Sequence, residues 1–231
     1  MEQLHNGFTL QLCQGSFPLS TDSMVLADFV KLSKNARVLD LGAGCGTLGM
    51  LLCASRTDCC VTGIEIDPLA HETALANAKH NCVEDRYSSI CGDLRSIADH
   101  IKPGSFDLCV SNPPYFSGGF VSKHHANARQ ELLCCPEDLF AAAAAALRFG
   151  GDLFMVHKPE RLAQLCSCAK DAGLEAKCLR LLRHKPEGPV ALILLQFRKG
   201  GKPGLVWEEI CLHNADGSPT ADYQRIYHTG G

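Results

Sequence analysis

Two clusters in this chain have residue types and spacing that could do chemistry. The first is Asp40-Leu41-Gly42-Ala43-Gly44-Cys45-Gly46, which ends the apolar run Arg37–Leu41. Glycines let a backbone turn tightly and approach a ligand closely. A helix predicted to start there offers its free N–H groups to an anionic part of that ligand. Glu65 follows Gly46 by 19 residues, a spacing at which a carboxylate accepts hydrogen bonds from ribose hydroxyls. Gly44-Cys45-Gly46-Thr47-Leu48-Gly49 also fits the G-x-G-x-x-G fingerprint of dinucleotide binding. Against a nicotinamide cofactor stands Asp40, immediately behind the first glycine. A carboxylate there suits a cationic amino group better than a pyrophosphate.

The second cluster is Asn112-Pro113-Pro114-Tyr115, which closes the apolar run Phe106–Ser111. An exocyclic amine conjugated to a ring is a poor nucleophile because its lone pair is delocalised. Two acceptors correct this, the Asn112 side-chain oxygen and the Pro113 carbonyl. Hydrogen bonds to both amine N–H groups favour a tetrahedral nitrogen and aim its lone pair, so positioning and fixed dipoles replace a strong base. Proline cannot donate, which leaves neighbouring carbonyls free to accept. Tyr115 can stack on the face of a flipped base, and Phe116 extends that platform.

Alternating elements must hold these clusters. Arg37–Leu41 reads as a strand and about 47–55 as a helix. Cys60–Ile66 is a second strand, and Asp67-Pro68 opens a helix with Asp as N-cap and Pro at its first position. Ala70, Ala74, Leu75 and Ala78 form its apolar side. Ser88–Cys91 is a weak third strand and Phe106–Ser111 a strong fourth. A polar loop, 116–131, leads to an Ala-rich helix from Pro136 that ends near Phe149-Gly150-Gly151. Asp152–His157 is a fifth strand, Pro159–Ala172 a helix, and Cys178–Arg183 with Val190–Phe197 a closing hairpin at one sheet edge. The pattern predicts an α/β fold with a mostly parallel sheet and helices on both faces. Residues 1–36 form an extension with a hairpin, Phe8–Cys13 with Ser16–Leu19 around Gln14-Gly15, and a helix over Thr21–Leu32. The catalytic domain is expected over 37–199. Residues 200–231 read as a weakly structured segment packing on it.

The glycine series resembles motif I of class I S-adenosylmethionine (SAM) methyltransferases. That resemblance implies a Rossmann-like fold with a seven-stranded sheet. It places Glu65 on the ribose and Asp93 by the adenine, with Ile66 and Leu94 beside them. Asp40, Gly42, Gly44 and Gly46 then form the cofactor turn, and Asn112 is implied as a further cofactor-binding residue beside it. Asn112-Pro113-Pro114-Tyr115 resembles the N/D-P-P-Y/F signature of amino-methyltransferases, which implies these four as the catalytic residues. Over nearly its whole length the chain is similar to the bacterial valine-tRNA adenine-37 N6-methyltransferases. The likeness includes Phe8–Leu19, Thr21-Asp22-Ser23, Ala128-Arg129-Gln130-Glu131, Val156–Arg161 and Lys199–Gly204. It implies Thr21 and Asp22 near the methionine end of SAM. It makes Phe116, Arg129, Arg183, Lys185, Lys199 and Lys202 candidate tRNA contacts. Gln130 and the richness in cysteine depart from the family pattern.

Composition sets outer bounds. The 231 residues carry 22 bases and 25 acids, 46% hydrophobic and 20% charged, which excludes disordered and fibrous classes. No apolar run reaches 18 residues, so no membrane span is expected. The N-terminus lacks a basic region followed by an apolar stretch, so no signal peptide is expected. The 14 cysteines include no C-x-x-C pair and no zinc-ligand spacing. They read as small buried hydrophobes in a reducing cytosol, with no metal. Between Ala176 and Pro203 seven bases face one acid, which is either a polyanion-binding patch or solvated strand-edge charge. His124, His125, His157 and Trp207 read as structural or surface residues. Competing functions are a glutamine methyltransferase acting on release factors, a non-catalytic SAM or RNA-binding module, and an NAD-dependent oxidoreductase. The first usually carries a helical N-terminal domain, and 36 partly β residues do not supply one.

Overall fold

A computed structural model describes residues 1–16, 18–113 and 135–228. Two short strands, β1 (Glu2–Gln3) and β2 (Thr9–Leu10), pair antiparallel at the N-terminus. The main sheet has eight strands: β3 (Arg37–Leu41), β4 (Cys60–Glu65), β5 (Tyr87–Cys91), β6 (Phe106–Ser111), β7 (Leu147–His157), β8 (Leu174–Arg183), β9 (Val190–Lys199) and β10 (Val206–Cys211). Their order is β10-β8-β9-β7-β6-β3-β4-β5. All neighbours are parallel except β9, which runs antiparallel to both β7 and β8.

Every central strand buries both faces, as expected where helices cover a parallel sheet. Val38, Val110, Phe154 and Val156 point into one core layer with α1 (Thr21–Phe29), α2 (Thr47–Ser55) and α3 (Pro68–His80). Leu39, Cys109, Leu153 and Met155 point into the other, with α4 (Ile97–His100), α5 (Pro136–Ala146) and α6 (Leu162–Asp171). Alternate residues of one strand thus serve opposite layers. Asp67 caps α3, accepting from the Leu69 N–H at 2.9 Å, with Pro68 in the first turn as expected.

Four expectations are corrected. The N-terminal hairpin spans Glu2–Leu10, not Phe8–Leu19. Side chains at the C-terminal end of α3 explain this: Asn77 in the helix and its C-cap Asn81 each bond both ways to the backbone, Asn81 to Thr9 and Asn77 to Gln11, at 2.8–2.9 Å. That backbone therefore needs no partner strand beyond Gln14-Gly15. α1 ends at Phe29, short of Leu32. The Ala-rich helix stops at Ala146, and β7 runs on through the Gly pair because Gly150 takes a left-handed φ of 77°. Finally, among the described residues the sheet has eight strands rather than seven. β10 covers β8, so the β8–β9 hairpin is not the edge, and α7 (Ala221–Tyr227) follows it. Among the described residues no helix is long and apolar enough to cross a membrane. Pro114, Tyr115, Phe116, His124, His125, Arg129 and Gln130 lie outside the described residues.

Candidate active site

The ends of β3, β4 and β6 lie side by side at one edge of the sheet, and the site is built there. After Leu41 the chain passes through Gly42, Gly44 and Gly46 with φ of 75°, 55° and 80°, a region that a Cβ disfavours. Glu65, 8% exposed, braces this turn. Its Oε2 accepts from the Gly44 N–H at 2.8 Å and its Oε1 from the Asp67 N–H at 2.9 Å. Each carboxylate oxygen has a second lone pair, so Glu65 can brace the turn and still accept from a ribose hydroxyl.

Tyr87 packs beneath the turn. A Cβ at Gly46 or Gly63 would come within 2.8 or 2.7 Å of its hydroxyl, and one at Gly49 would strike its ring. These glycines therefore make room for an aromatic ring. A Cβ at Gly42 or Gly44 would meet nothing within 4 Å. Among the described residues the space over that part of the turn is open.

Asp40 is 1% exposed, and neither carboxyl oxygen has a hydrogen-bond partner among the described residues. Burial, and secondarily the nearby Glu65 charge, push its pKa up to about 7, against the opposing pull of the Gly49 backbone N–H. A buried, unpaired carboxyl behind a glycine turn is costly unless a donor or cation completes it.

Asn112 follows β6, whose last residue, Ser111, donates to the Leu41 carbonyl at 2.8 Å. That bond ties the end of β6 to the start of the glycine turn. The Asn112 amide Nδ2 donates to Ser23 Oγ at 3.1 Å. Ser23 lies in the first turn of α1, which Ser20 caps through the Ser23 N–H. Thr21 and Asp22 start the same helix, so both lie at this edge. The Tyr227 hydroxyl donates to Thr21 Oγ1 at 2.9 Å. Asp22 is raised by burial, and Lys158 and His184 oppose that shift. His157, at the end of β7, accepts from the Lys158 N–H, and burial pushes it down to about 4. At neutral pH it is therefore uncharged and only weakly basic.

The family model for the methyltransferase small domain matches residues 18–165. The chain belongs to the methyltransferase small domain family. It is 28% identical over 211 residues to a tRNA1(Val) (adenine(37)-N6)-methyltransferase of Aeromonas hydrophila, covering 90% of this chain and 87% of that one. It is 30% identical over 195 residues to a protein of the same name from Porphyromonas gingivalis, covering 81% and 76%. Among solved structures it resembles a predicted O-methyltransferase, Atu636 from Agrobacterium tumefaciens. That match has a TM-score of 0.74 and 21% identity over 90% of this chain and 96% of that one. A TehB-like SAM-dependent methyltransferase from Corynebacterium glutamicum matches with a TM-score of 0.52 and 22% identity, covering 77% and 86%.

This methyltransferase is SAM-dependent, and its residues fit that cofactor. The unsatisfied Asp40 carboxyl and, among the described residues, the open space over Gly42 and Gly44 fit a cationic amino acid moiety, which these residues would hold. Glu65, with a lone pair left on each oxygen, would hold the ribose. Ile66, 40% exposed, is an apolar surface beside it. Leu94 is half-buried against the second core layer. Asp93 is turned onto Arg95, with Oδ2 2.5 Å from the guanidinium, which holds its carboxyl below the usual range.

The basic segment does not form one patch. Lys177 donates to the Lys202 and Gly204 carbonyls at 2.9 and 2.8 Å. Arg180 sits between Asp28 and Glu208, and Arg183 pairs with Glu209 at 2.7 Å. Arg198 forks onto Asp152 at 2.8 Å. Lys199 donates to the Ala144 and Leu147 carbonyls at 2.6 and 2.8 Å. Lys185 and Lys202 are exposed, with no side-chain partner among the described residues. Register separates them. Arg183 and Lys185 lie at the site's edge of the sheet, whereas Lys199 and Lys202 lie at the opposite edge.

Sequence reasoning missed Tyr87, Asn77 and Ser23 as supports of the site. A bulky aromatic at the start of β5, opposite Gly46, Gly49 and Gly63, was the available signal for Tyr87. Asn77 donates to the Cys45 carbonyl at 2.9 Å and so ties α3 to the turn. The cysteines are not uniformly buried. Cys45, Cys53, Cys59, Cys109, Cys168 and Cys178 are buried, but Cys60, Cys82, Cys91 and Cys135 are exposed.

Proposed function

We propose that this methyltransferase modifies the exocyclic N6 of an adenine in tRNA, adenine 37 of a valine tRNA. The observation that carries the reading is Asn112. It sits at the end of β6 beside the glycine turn, with its amide nitrogen held by Ser23 and no partner on Oδ1 among the described residues. The names of the relatives at 28–30% identity support adenine N6 as the acceptor. In this reading a flipped adenine places its amine against Asn112 Oδ1 and the Pro113 carbonyl. Both N–H groups are engaged, and the lone pair points away from them. SAM supplies an electrophilic methyl on a sulfonium. Bound there, SAM would give that methyl to the amine lone pair with the C–S electron pair leaving on sulfur, while Asn112 Oδ1 and the Pro113 carbonyl would hold the amine and the surplus proton would pass to water. Tyr115 stacks on the adenine face. Arg129, Phe116 and the bases near β8 are the proposed RNA contacts.

The test is methyl transfer from labelled SAM to tRNA lacking N6-methyladenine, with a release factor in a parallel reaction. The expected product is N6-methyladenosine at position 37 of valine tRNA. Label in the release factor alone would overturn the reading in favour of glutamine methylation. Label at another adenine would remove only the site assignment.

A further inference from the structure

Cys45 stands between Gly44 and Gly46 in the cofactor turn, and methyl transfer has no use for it. It is 2% exposed, and its thiol meets a second thiol. Cys13 Sγ is 3.5 Å away, across 32 residues of sequence. Cys13 is half-buried, so one member of the pair is open to small solutes. The Cys13 backbone N–H also donates to Cys45 Sγ, at 3.4 Å. Ser16 Oγ completes a triangle, 2.8 Å from Cys13 Sγ and 3.0 Å from Cys45 Sγ.

The surrounding hydrogen bonds hold this contact in place. Asn77 of α3, 2% exposed, grips both stretches of backbone at once. Its Oδ1 accepts from the Gln11 N–H at 2.8 Å, and its Nδ2 donates to the Gln11 and Cys45 carbonyls, each at 2.9 Å. Glu65 holds the other side of the turn through the Gly44 N–H at 2.8 Å. Two sulfurs 3.5 Å apart must close to roughly 2 Å to share a bond. Drawing Cys45 toward Cys13 pulls the Cys45 carbonyl from Asn77 and the Gly44 N–H from Glu65. Drawing Cys13 the other way loads the Gln11 bonds to the same Asn77.

We propose that Cys13 and Cys45 are an oxidation site: a hydroperoxide converts them to a disulfide that distorts the glycine turn and weakens SAM binding. The half-buried Cys13 reacts first. Its thiolate sulfur attacks one peroxide oxygen, the O–O bond breaks, and the departing oxygen takes a proton, which leaves Cys13 as a sulfenic acid. The Cys45 sulfur then attacks the Cys13 sulfur. The S–O bond breaks, and hydroxide leaves with the Cys45 proton as water. Two thiols have lost two electrons, and hydrogen peroxide has become two waters. A thiol reductant reverses the change by exchange. Cofactor and redox state are then linked. A disulfide that weakens SAM tenfold requires SAM to shift the couple tenfold toward the dithiol, which raises its reduction potential by about 30 mV.

The test treats the full chain with hydrogen peroxide in the absence of SAM. Peptides are mapped without reduction, and SAM affinity is measured by equilibrium binding. The expected result is a Cys13–Cys45 cross-link, a Kd for SAM raised about tenfold, the scale of losing the Glu65 brace, and recovery with dithiothreitol. Cys13→Ser should start with the wild-type Kd and keep it through the peroxide treatment. Cys45→Ser should likewise lose the peroxide response. In glutathione redox buffers, saturating SAM should raise the potential of the pair by about 30 mV. Absence of the cross-link overturns the proposal, as does a cross-link that leaves the Kd unchanged. An equal peroxide response in wild type and Cys13→Ser overturns it too, and so does a potential that SAM does not move.

Discussion

The two edges of the main sheet are built from similar residues and are used in opposite ways. At the edge where β3 and β6 begin, charge is paired. Asp107 takes the Arg37 backbone N–H at 2.9 Å and the Arg148 guanidinium at 2.7 Å. Arg198 forks onto Asp152, and Lys199 covers two carbonyls at the end of α5. At the edge where those strands end, polar groups are left incomplete. Asp40 is buried without a partner, Asp22 is raised by burial, and Glu65 keeps lone pairs in reserve. One edge pairs most of its charge within the chain. The other leaves groups for a ligand to complete, which is costly in the free protein and is where open α/β sheets bind.

The contrast breaks first at Asn112. Asn112→Ala should cut turnover on the order of 10²- to 10³-fold, the scale of losing one aimed dipole in a methyl-transfer site. SAM affinity should be unchanged, and equilibrium binding measures that directly. Glu65→Ala is the complement. Losing charge-assisted acceptors should weaken SAM on the order of 10- to 100-fold, while the rate at saturating SAM falls far less. Equal loss of SAM binding in the two variants would erase the division between turn and acceptor pair.

Asp40 sharpens the comparison through pH. Its folded pKa, about 7, lies above its ordinary 3.8. Between those values the folded state keeps a proton that the unfolded state has lost. The carboxyl's contribution to stability is therefore whole below the lower value and lost as pH climbs to about 7. Asp40→Asn should flatten the stability profile across that window and melt several degrees higher at pH 8, roughly 2–4 °C per kcal/mol recovered. The same variant should bind SAM more weakly and without the wild-type gain in affinity toward neutral pH. A Tm profile parallel to that of the wild type would show that Asp40 is ionised and satisfied in the free protein.

How much of this was legible depended on the range of the interaction. The Asp67-Pro68 start of α3 is local chemistry, and it is found where the sequence put it. The glycine turn and Glu65 are also local, as a strand, a turn and a carboxylate 19 residues on. β10 was not legible, because in an edge strand with Trp207 64% and Val206 59% exposed no alternation marks an inward face. Nor was Ser23. Nothing in Thr21-Asp22-Ser23 announces a partner 89 residues away, and only the packing of α1 over the ends of the strands supplies it. The seven bases between 176 and 203 looked like one feature because they are contiguous. An antiparallel hairpin sends alternate ends of such a stretch to opposite edges.

That division makes the smallest prediction, and it tests the comparison itself. Lys185 and Lys202 are both exposed and sit 17 residues apart in one basic stretch, yet they lie at opposite edges. If tRNA docks across the edge that carries Asn112, Lys185→Ala should weaken binding modestly. It should also lower the slope of log affinity against log salt by about one, the signature of a single phosphate contact. Lys202→Ala should change neither. Lys199→Met should likewise leave the salt slope alone, but lower stability by about 1–2 kcal/mol, because two carbonyls at the end of α5 lose their donor. Salt titrations of tRNA binding for the three variants separate the cases. A slope change in Lys202→Ala matching that in Lys185→Ala would mean that the nucleic acid wraps the sheet, and that contiguity in sequence rather than position in the fold sets the footprint.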